Sequence, residues 1–242
     1  MSETVVNFMI DGVEVTGRKG QTILQAADDA GIYIPRLCWV KKLKPSASCR
    51  LCTVLVNNRP VAACTQPITE GMDVLNEAGQ ILRYRKNLVE MLFVEGNHFC
   101  MFCEKSGNCE LQGMAYRFGI DAPKFPYLFP KRDADASHPY IYLDRDRCIL
   151  CGRCIRTSRD LDGKGVFEFI GRGHQKKIGV NARARLADTN IDVSDEAVSS
   201  CPVGAILKKR VGFAVPVGKR LYDHLPIGSD IEAKARRNTR GK

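Results

Sequence analysis

The sequence predicts an α+β protein made of several small units, and three observations predict it. An alternating apolar stretch broken by Asp11-Gly12 leads into a short helical pattern, a longer helical repeat runs from Glu77 to Val94, and eleven cysteines recur through loop-rich sequence, several of them in C-x2-C spacing. A length of 242 residues leaves room for two or three compact units. The 44% hydrophobic and 26% charged content is that of a folded protein, so disorder is excluded for most of the chain.

Taken in order, Val6 to Val15 alternates apolar residues around Asp11-Gly12, a dipeptide that tolerates the positive φ of a type I′ turn, and predicts a β-hairpin. Thr22 is placed to cap a helix over ILQAADDA, with Gly31 as its C-terminal stop. A hairpin followed by a helix suggests a β-grasp start. A loop-rich stretch then carries Cys38, Cys49 and Cys52, followed by the strand TVLVN, a turn at Asn57-Asn58-Arg59-Pro60, a strand from Val61 to Cys64 and a last one near Met72 to Leu75. From Glu77 to Val94, Ile81, Leu82, Leu88, Val89, Leu92 and Phe93 recur at helical spacing, with Arg83, Arg85 and Lys86 available for the outer face. Residues 121–140 hold repeated prolines, which forbid regular helix and predict a linker or an extended surface strap. The expected division is 1–78, 79–120, a linker over 121–140, 141–207, and a basic C-terminal tail over 208–242 without trusted periodicity.

The N-terminus MSETVVNFMIDG has neither a basic start nor a continuous apolar run, and no stretch approaches the roughly 20 apolar residues of a membrane span. The reading is a cytoplasmic protein without membrane insertion. An odd number of cysteines with repeated C-x2-C spacing points to metal ligation and away from disulfides. The net charge of +10 is concentrated in residues 208–242, which hold ten Lys or Arg against three acids. That segment lacks aromatic interleaving and carries Pro216 and Pro226, so it suits an acidic protein partner better than nucleic acid, or is simply a solvated end.

Cys38, Cys49, Cys52 and Cys64 form C-x10-C-x2-C-x11-C, a widened version of the two-iron pattern in which a loop wrapped over a β-grasp sheet supplies four thiolates for two tetrahedral irons. The bland alternative is a four-cysteine structural zinc. Cys100, Cys103 and Cys109 form C-x2-C-x5-C and supply only three thiolates. His98, two residues upstream, is the candidate fourth ligand of a four-iron cluster, since a neutral imidazole can bind iron when its second nitrogen is held by an acceptor. The alternative is an ordinary loop histidine beside a three-iron cluster. Cys148, Cys151 and Cys154 form C-x2-C-x2-C, and Cys201-Pro202 follows far downstream, as in bacterial ferredoxins. Ser158 replaces the next expected cysteine, and Ile191, Ser194 and Ala197 stand where three more ligands would be, so one four-iron cluster is expected there and not two. Ile149, Leu150, Val203 and Ile206 are available to shield it. A zinc ribbon is disfavoured, because tandem cysteines do not form paired knuckles.

No G-x-G-x-x-G occurs, Gly171-Arg172-Gly173 lacks a third glycine, and Gly212 to Lys219 is too long for a Walker A loop. No cysteine remains for nickel, and His138, His174 and His224 read as ordinary polar residues. No catalytic residue is recognisable: the expectation is an electron carrier that converts no substrate itself.

The first set after a β-grasp pattern resembles the two-iron domain that opens the large iron-sulfur subunit of respiratory complex I and its relatives. The segment GNHFCMFCEKSGNCELQ is similar to that family's four-iron site with one His and three Cys ligands. In the larger relatives three residues separate His from the first Cys, a spacing that would fall on Gly96 here. The single residue between His98 and Cys100 resembles the small diaphorase subunits of NAD-reducing hydrogenases. Complex I large subunits, formate dehydrogenase large subunits and some iron-only hydrogenases begin similarly and continue into another domain, whereas this sequence ends soon after Cys201. Over residues 1 to about 220 it therefore most resembles the small diaphorase (gamma) iron-sulfur subunits of cytoplasmic NAD-reducing [NiFe] hydrogenases. The resemblance implies electron transfer between a [NiFe] hydrogenase small and large subunit pair and a flavin/NAD-binding diaphorase subunit, with FMN, NAD and the nickel-iron centre in those partners. The alternatives are an iron-sulfur subunit or fragment of an NAD-linked formate dehydrogenase or of complex I, and a zinc-stabilised interaction module.

Overall fold

In the computed structural model, residues 4–181 and 185–240 are described and separate into two compact units. The first comprises residues up to 39, 45–88 and from 225 onward. Strands β1 (Val5–Ile10) and β2 (Val13–Arg18) form the expected hairpin, with Asp11 and Gly12 at φ 49° and 77°, the left-handed pair of a type I′ turn. Helix α1 (Ile23–Ala30) opens on a capping box: Gln25 N–H donates to Thr22 Oγ1 at 3.3 Å and Thr22 N–H donates to Gln25 Oε1 at 2.9 Å. It ends at Gly31, whose φ of 79° and whose close approach to Ala235 both require the missing Cβ. Strands β3 (Thr53–Val56), β4 (Arg59–Ala62) and β5 (Asp73–Leu75) complete a five-stranded sheet ordered β2-β1-β5-β3-β4, in which only β1 and β5 run parallel. The expected four-residue turn is shorter. Asn57 and Asn58, both at positive φ, make it alone, and Pro60 lies within β4, where an edge strand tolerates its missing N–H. Phe8, Ile10, Leu24, Ile34, Val54 and Val74 build the core, and Cys52 and Cys64 are part of it.

Helix α2 (Gly79–Val94) spans nearly the predicted range, but two of its residues change sides. Leu82, expected to be buried, is 39% exposed, and Arg85, expected outside, is 1% exposed. Ile81, Arg85 and Val89 follow at i, i+4 and i+8 and share the buried face, so helical spacing outweighs the charge because the guanidinium finds partners there.

The remaining elements of the second unit, which comprises residues 40–44 and 89–224, are α3 (Glu110–Arg117), β6 (Ile141–Leu143), α4 (Arg153–Asp160), β7 (Phe167–Ile170), β8 (Lys177–Val180), the short α5 (Glu196–Ser199) and β9 (Ile206–Lys208). β6 pairs antiparallel with β9, and β7 with β8. Residues 121–140 are irregular, as their prolines predict, and they lie inside the second compact unit. Leu128 N–H donates to Val94 O at 3.0 Å, Asn97 Nδ2 donates to Pro130 O at 2.9 Å, and Asp135 exchanges backbone hydrogen bonds with Leu143 at 2.7 and 3.0 Å. The segment is a strap within the second unit, because proline removes donors but leaves the other backbone groups free to pair.

The last helix, α6 (Ser229–Arg240), corrects the reading of residues 208–242 as a tail. It packs on α1 in the first unit, Ile227 and Ile231 are each 7% exposed, and Lys234 Nζ donates to Asp28 O at 3.2 Å. The spacing of Ile227 and Ile231 was the available signal. Ile231→Ala should lower the stability of the first unit by about 2 kcal/mol in urea unfolding, from lost burial and the cavity left behind; an unchanged midpoint would place α6 outside the cooperative core. Truncation at residue 220 therefore removes core as well as charge. Among the described residues no helix is long and apolar enough to cross a membrane.

Candidate metal centres

The first set lies on the loops that close the five-stranded sheet. Cys38, Cys52 and Cys64 are buried and Cys49 is half-buried. The loop bends sharply at Ala47 and Arg50, both at positive φ, and turns N–H groups inward: Leu37 N–H donates to Cys49 Sγ at 3.4 Å, and Leu51 N–H also donates to it. The thiols associate in pairs. A hydrogen bond from Cys49, helped by the hydroxyls of Ser48 and Ser46, holds Cys38 well below the usual thiol range, at about 4, against the opposing effect of burial. Cys49, the donor, is pushed up correspondingly. In the same way the bond from Cys52 lowers Cys64 and raises Cys52. Four thiols that meet as 38/49 and 52/64, amid inward N–H groups, match a donor set for two soft metal ions.

Arg85 braces this set from α2. Its Nε donates to Leu51 O at 2.9 Å and its Nη2 to Thr53 O at 2.9 Å, so it grips the backbone on both sides of Cys52. Nη1 and Nη2 also donate to Asn76 O and Oδ1, each at 2.8 Å. Burial lowers its pKa to about 10, which still leaves it cationic at neutral pH.

In the second set, Cys100 opens a single 3-10 turn over Cys100–Phe102 and Cys109 caps α3. Burial pushes Cys109 up to about 12, with the nearby Cys100 and Cys103 adding to the shift. His98 Nε2 is buried without a hydrogen-bond partner, while the ring donates to Leu92 O, which leaves Nδ1 as the donating nitrogen. Burial, then the cation of Arg147, lowers His98 to about 4, so the ring is neutral. A neutral imidazole with Nδ1–H held and the Nε2 lone pair bare has the ligand form that a metal requires. Gly96 makes room for it: a Cβ there would lie 2.6 Å from His98 Nε2 and 2.7 Å from Asp146 O.

The third set converges on one apolar cavity, lined by Cys148, Cys151, Cys154 and Cys201 together with Ile149, Val203 and Ile206. Of the four expected shielding residues, Leu150 alone is not in the lining; its φ is 53°, and its N–H donates to Cys148 Sγ at 3.4 Å. Burial raises Cys148 to about 11 and Cys151 to about 12, and it raises Cys154 as well. Free thiols are thus disfavoured as anions until a cation compensates them. The vacated ligand position at Ser158 is buried, and its hydroxyl accepts Val166 N–H at 2.9 Å; Ile191 and Ala197 are buried apolar residues. Among the described residues no three His, Cys, Asp or Glu side chains meet at a single ion position; a cluster distributes its ligands over several irons.

Sequence reasoning missed the links between the second and third sets. Arg153, between Cys151 and Cys154, bonds both oxygens of Glu110 at 2.6 and 2.7 Å, and Glu110 N–H, beside Cys109, donates to Pro202 O at 2.8 Å. No local pattern could reveal partners more than 40 residues apart. His138, expected to be an ordinary polar residue, accepts Tyr140 and Ile141 N–H at Nδ1.

Three family models match successive stretches of the chain. Residues 3–79 match the family described as a 2Fe-2S iron-sulfur cluster binding domain, 85–124 the iron-sulfur binding region of NADH-ubiquinone oxidoreductase-G, and 138–207 the ferredoxin-like domain of NADH-quinone oxidoreductase subunit 3. The chain is 42% identical over 219 residues to the NAD-reducing hydrogenase HoxS subunit gamma of Cupriavidus necator, covering 90% of this chain and 93% of that one. The chain belongs to this gamma-subunit family. A solved chain from an NAD+-reducing [NiFe]-hydrogenase in the H2-reduced state is 44% identical, with a TM-score of 0.89 over 92% of this chain and 95% of its own. The 78 kDa subunit of mitochondrial NADH-ubiquinone oxidoreductase from Candida albicans is 32% identical over 98% of this chain, which spans only 33% of that protein. Gamma-subunit family membership thus rests on near full-length similarity, and the kinship with complex I on a shared iron-sulfur region.

Proposed function

We propose that the chain is a cytoplasmic electron-transfer subunit, carrying electrons through one [2Fe-2S] and two [4Fe-4S] clusters between a [NiFe] hydrogenase module and a flavin/NAD-binding diaphorase subunit. The overall reaction would be H2 + NAD+ → NADH + H+, run reversibly, with FMN, NAD and the nickel-iron centre held by partners. The observation that carries this reading is the spacing of all eleven cysteines, which falls into three sets with no cysteine left over, the last of them gathered around one apolar cavity. Cys38 with Cys49, and Cys52 with Cys64, would each hold one iron of the two-iron cluster. His98 Nε2 with Cys100, Cys103 and Cys109 would hold one four-iron cluster, and Cys148, Cys151, Cys154 and Cys201 the other. Such clusters, when bound, supply one-electron carriers. The protein's part is to present thiolates at set positions, to donate N–H bonds to their sulfurs, and to exclude water with apolar walls.

Iron, acid-labile sulfide and zinc per chain, measured on anaerobically purified protein, test the reading. About ten iron follows from one two-iron and two four-iron clusters. About nine would mark a three-iron centre at the His98 set, and abundant zinc with little sulfide would overturn electron transfer in favour of a zinc-stabilised interaction module.

A further inference from the structure

Arg147 immediately precedes Cys148 of the third set, yet its side chain serves the second. Its Nη1 donates to Cys103 Sγ at 3.5 Å and to Glu104 Oε2 at 3.0 Å, while Nε is fixed by Asp144 Oδ2 at 2.9 Å. The guanidinium is thus held by a carboxylate at Nη1 and another at Nε, with the thiol of a neighbouring set also at Nη1. The approach is possible because residue 204, three positions after Cys201, is glycine: a Cβ there would lie 2.7 Å from Cys103 Sγ and 3.5 Å from Arg147 Cδ. His98 feels the same cation.

We infer that Arg147 is a positioning residue that sets the reduction potential of the His98, Cys100, Cys103 and Cys109 site. The inference rests on the cluster assignment proposed above. A fixed cation that donates to a ligand sulfur favours the reduced, more negative state of the site it touches, and hydrogen bonds to sulfur together with net charge are the protein's main means of tuning such potentials. The arrangement is directional. A residue whose backbone belongs to one four-iron set stabilises an added electron on the other, and Cys103 is held against the chain that follows Cys201. An electron shared between these two sites would therefore reside longer on the second while Arg147 is in place.

The test is an EPR-monitored redox titration of the full chain in its complex, comparing the native protein with Arg147→Gln and Arg147→Lys, each analysed for iron and labile sulfide. The expected result is a more negative midpoint for one four-iron signal in Arg147→Gln, the same signal that moves in His98→Cys, with a smaller displacement in Arg147→Lys and the other signals unmoved. Unchanged midpoints in iron-replete variants would overturn the inference. So would an equal shift of every signal, or loss of iron from both variants, which would make Arg147 merely structural. A native protein lacking iron and sulfide would instead defeat the cluster assignment, so the two failures are distinguishable.

Discussion

Arg85→Met is expected to destabilise the first unit by about 4 kcal/mol and to cost the proposed two-iron site its metal before the other proposed sites lose theirs. Arg85 is buried and makes four hydrogen bonds, three of them to the carbonyls of Leu51, Thr53 and Asn76. Methionine has similar length and no donors, so these buried acceptors would be left unpaired at about 1–3 kcal/mol each, partly offset by removing a charge that is costly to bury. The loop carrying Cys52 would lose its brace. Thermal unfolding together with the visible spectrum of the two-iron chromophore measures both effects. A normal midpoint with a normal spectrum would show that Asn76 and the sheet hold the loop unaided. Arg85→Lys should recover only part of the loss, because one ammonium cannot reproduce a planar fork that spans three residues.

His98→Cys should retain iron and move the potential of a single four-iron signal downward, on the order of 100 mV, since a thiolate adds negative charge where the neutral ring had none. His98→Ala removes the candidate donor and should convert that centre to a three-iron form, lowering iron by about one per chain. The support is geometric: Nε2 is buried without a partner, the ring's other nitrogen donates to Leu92 O, and Gly96 leaves space beside it. A redox titration of the Cys variant and an iron analysis of the Ala variant decide the matter. Unmoved potentials and unchanged iron in both would return His98 to the status of a loop residue, its bare Nε2 then being an unexplained cost of about 1–3 kcal/mol.

Much of this architecture was legible residue by residue. The Asp11-Gly12 hairpin, the Thr22 to Gly31 helix with both caps and the helix ending at Val94 lie where reading along the chain puts them. Cys148, Cys151, Cys154 and Cys201, grouped by their spacing, line one cavity. Charge misled at Arg85, where helical spacing pointed inward. Proline content marked residues 121–140 as irregular, but not the partners that the segment pairs with elsewhere in the chain.

What the sequence determined by itself is therefore what depends on near neighbours: turn conformations that need positive φ, caps closed within three residues, and cysteine spacings that admit only certain metal assemblies. Only the tertiary structure decided the rest, namely that α6 returns to α1, that Arg85 turns inward to brace the Cys52 loop, and that Arg147 reaches Cys103 rather than a sulfur of its own set. The physical reason is that each of these exchanges a solvated charge or an exposed apolar face for partners distant in the chain. Whether that exchange is favourable depends on which carbonyls, thiols and side chains the fold has already brought together.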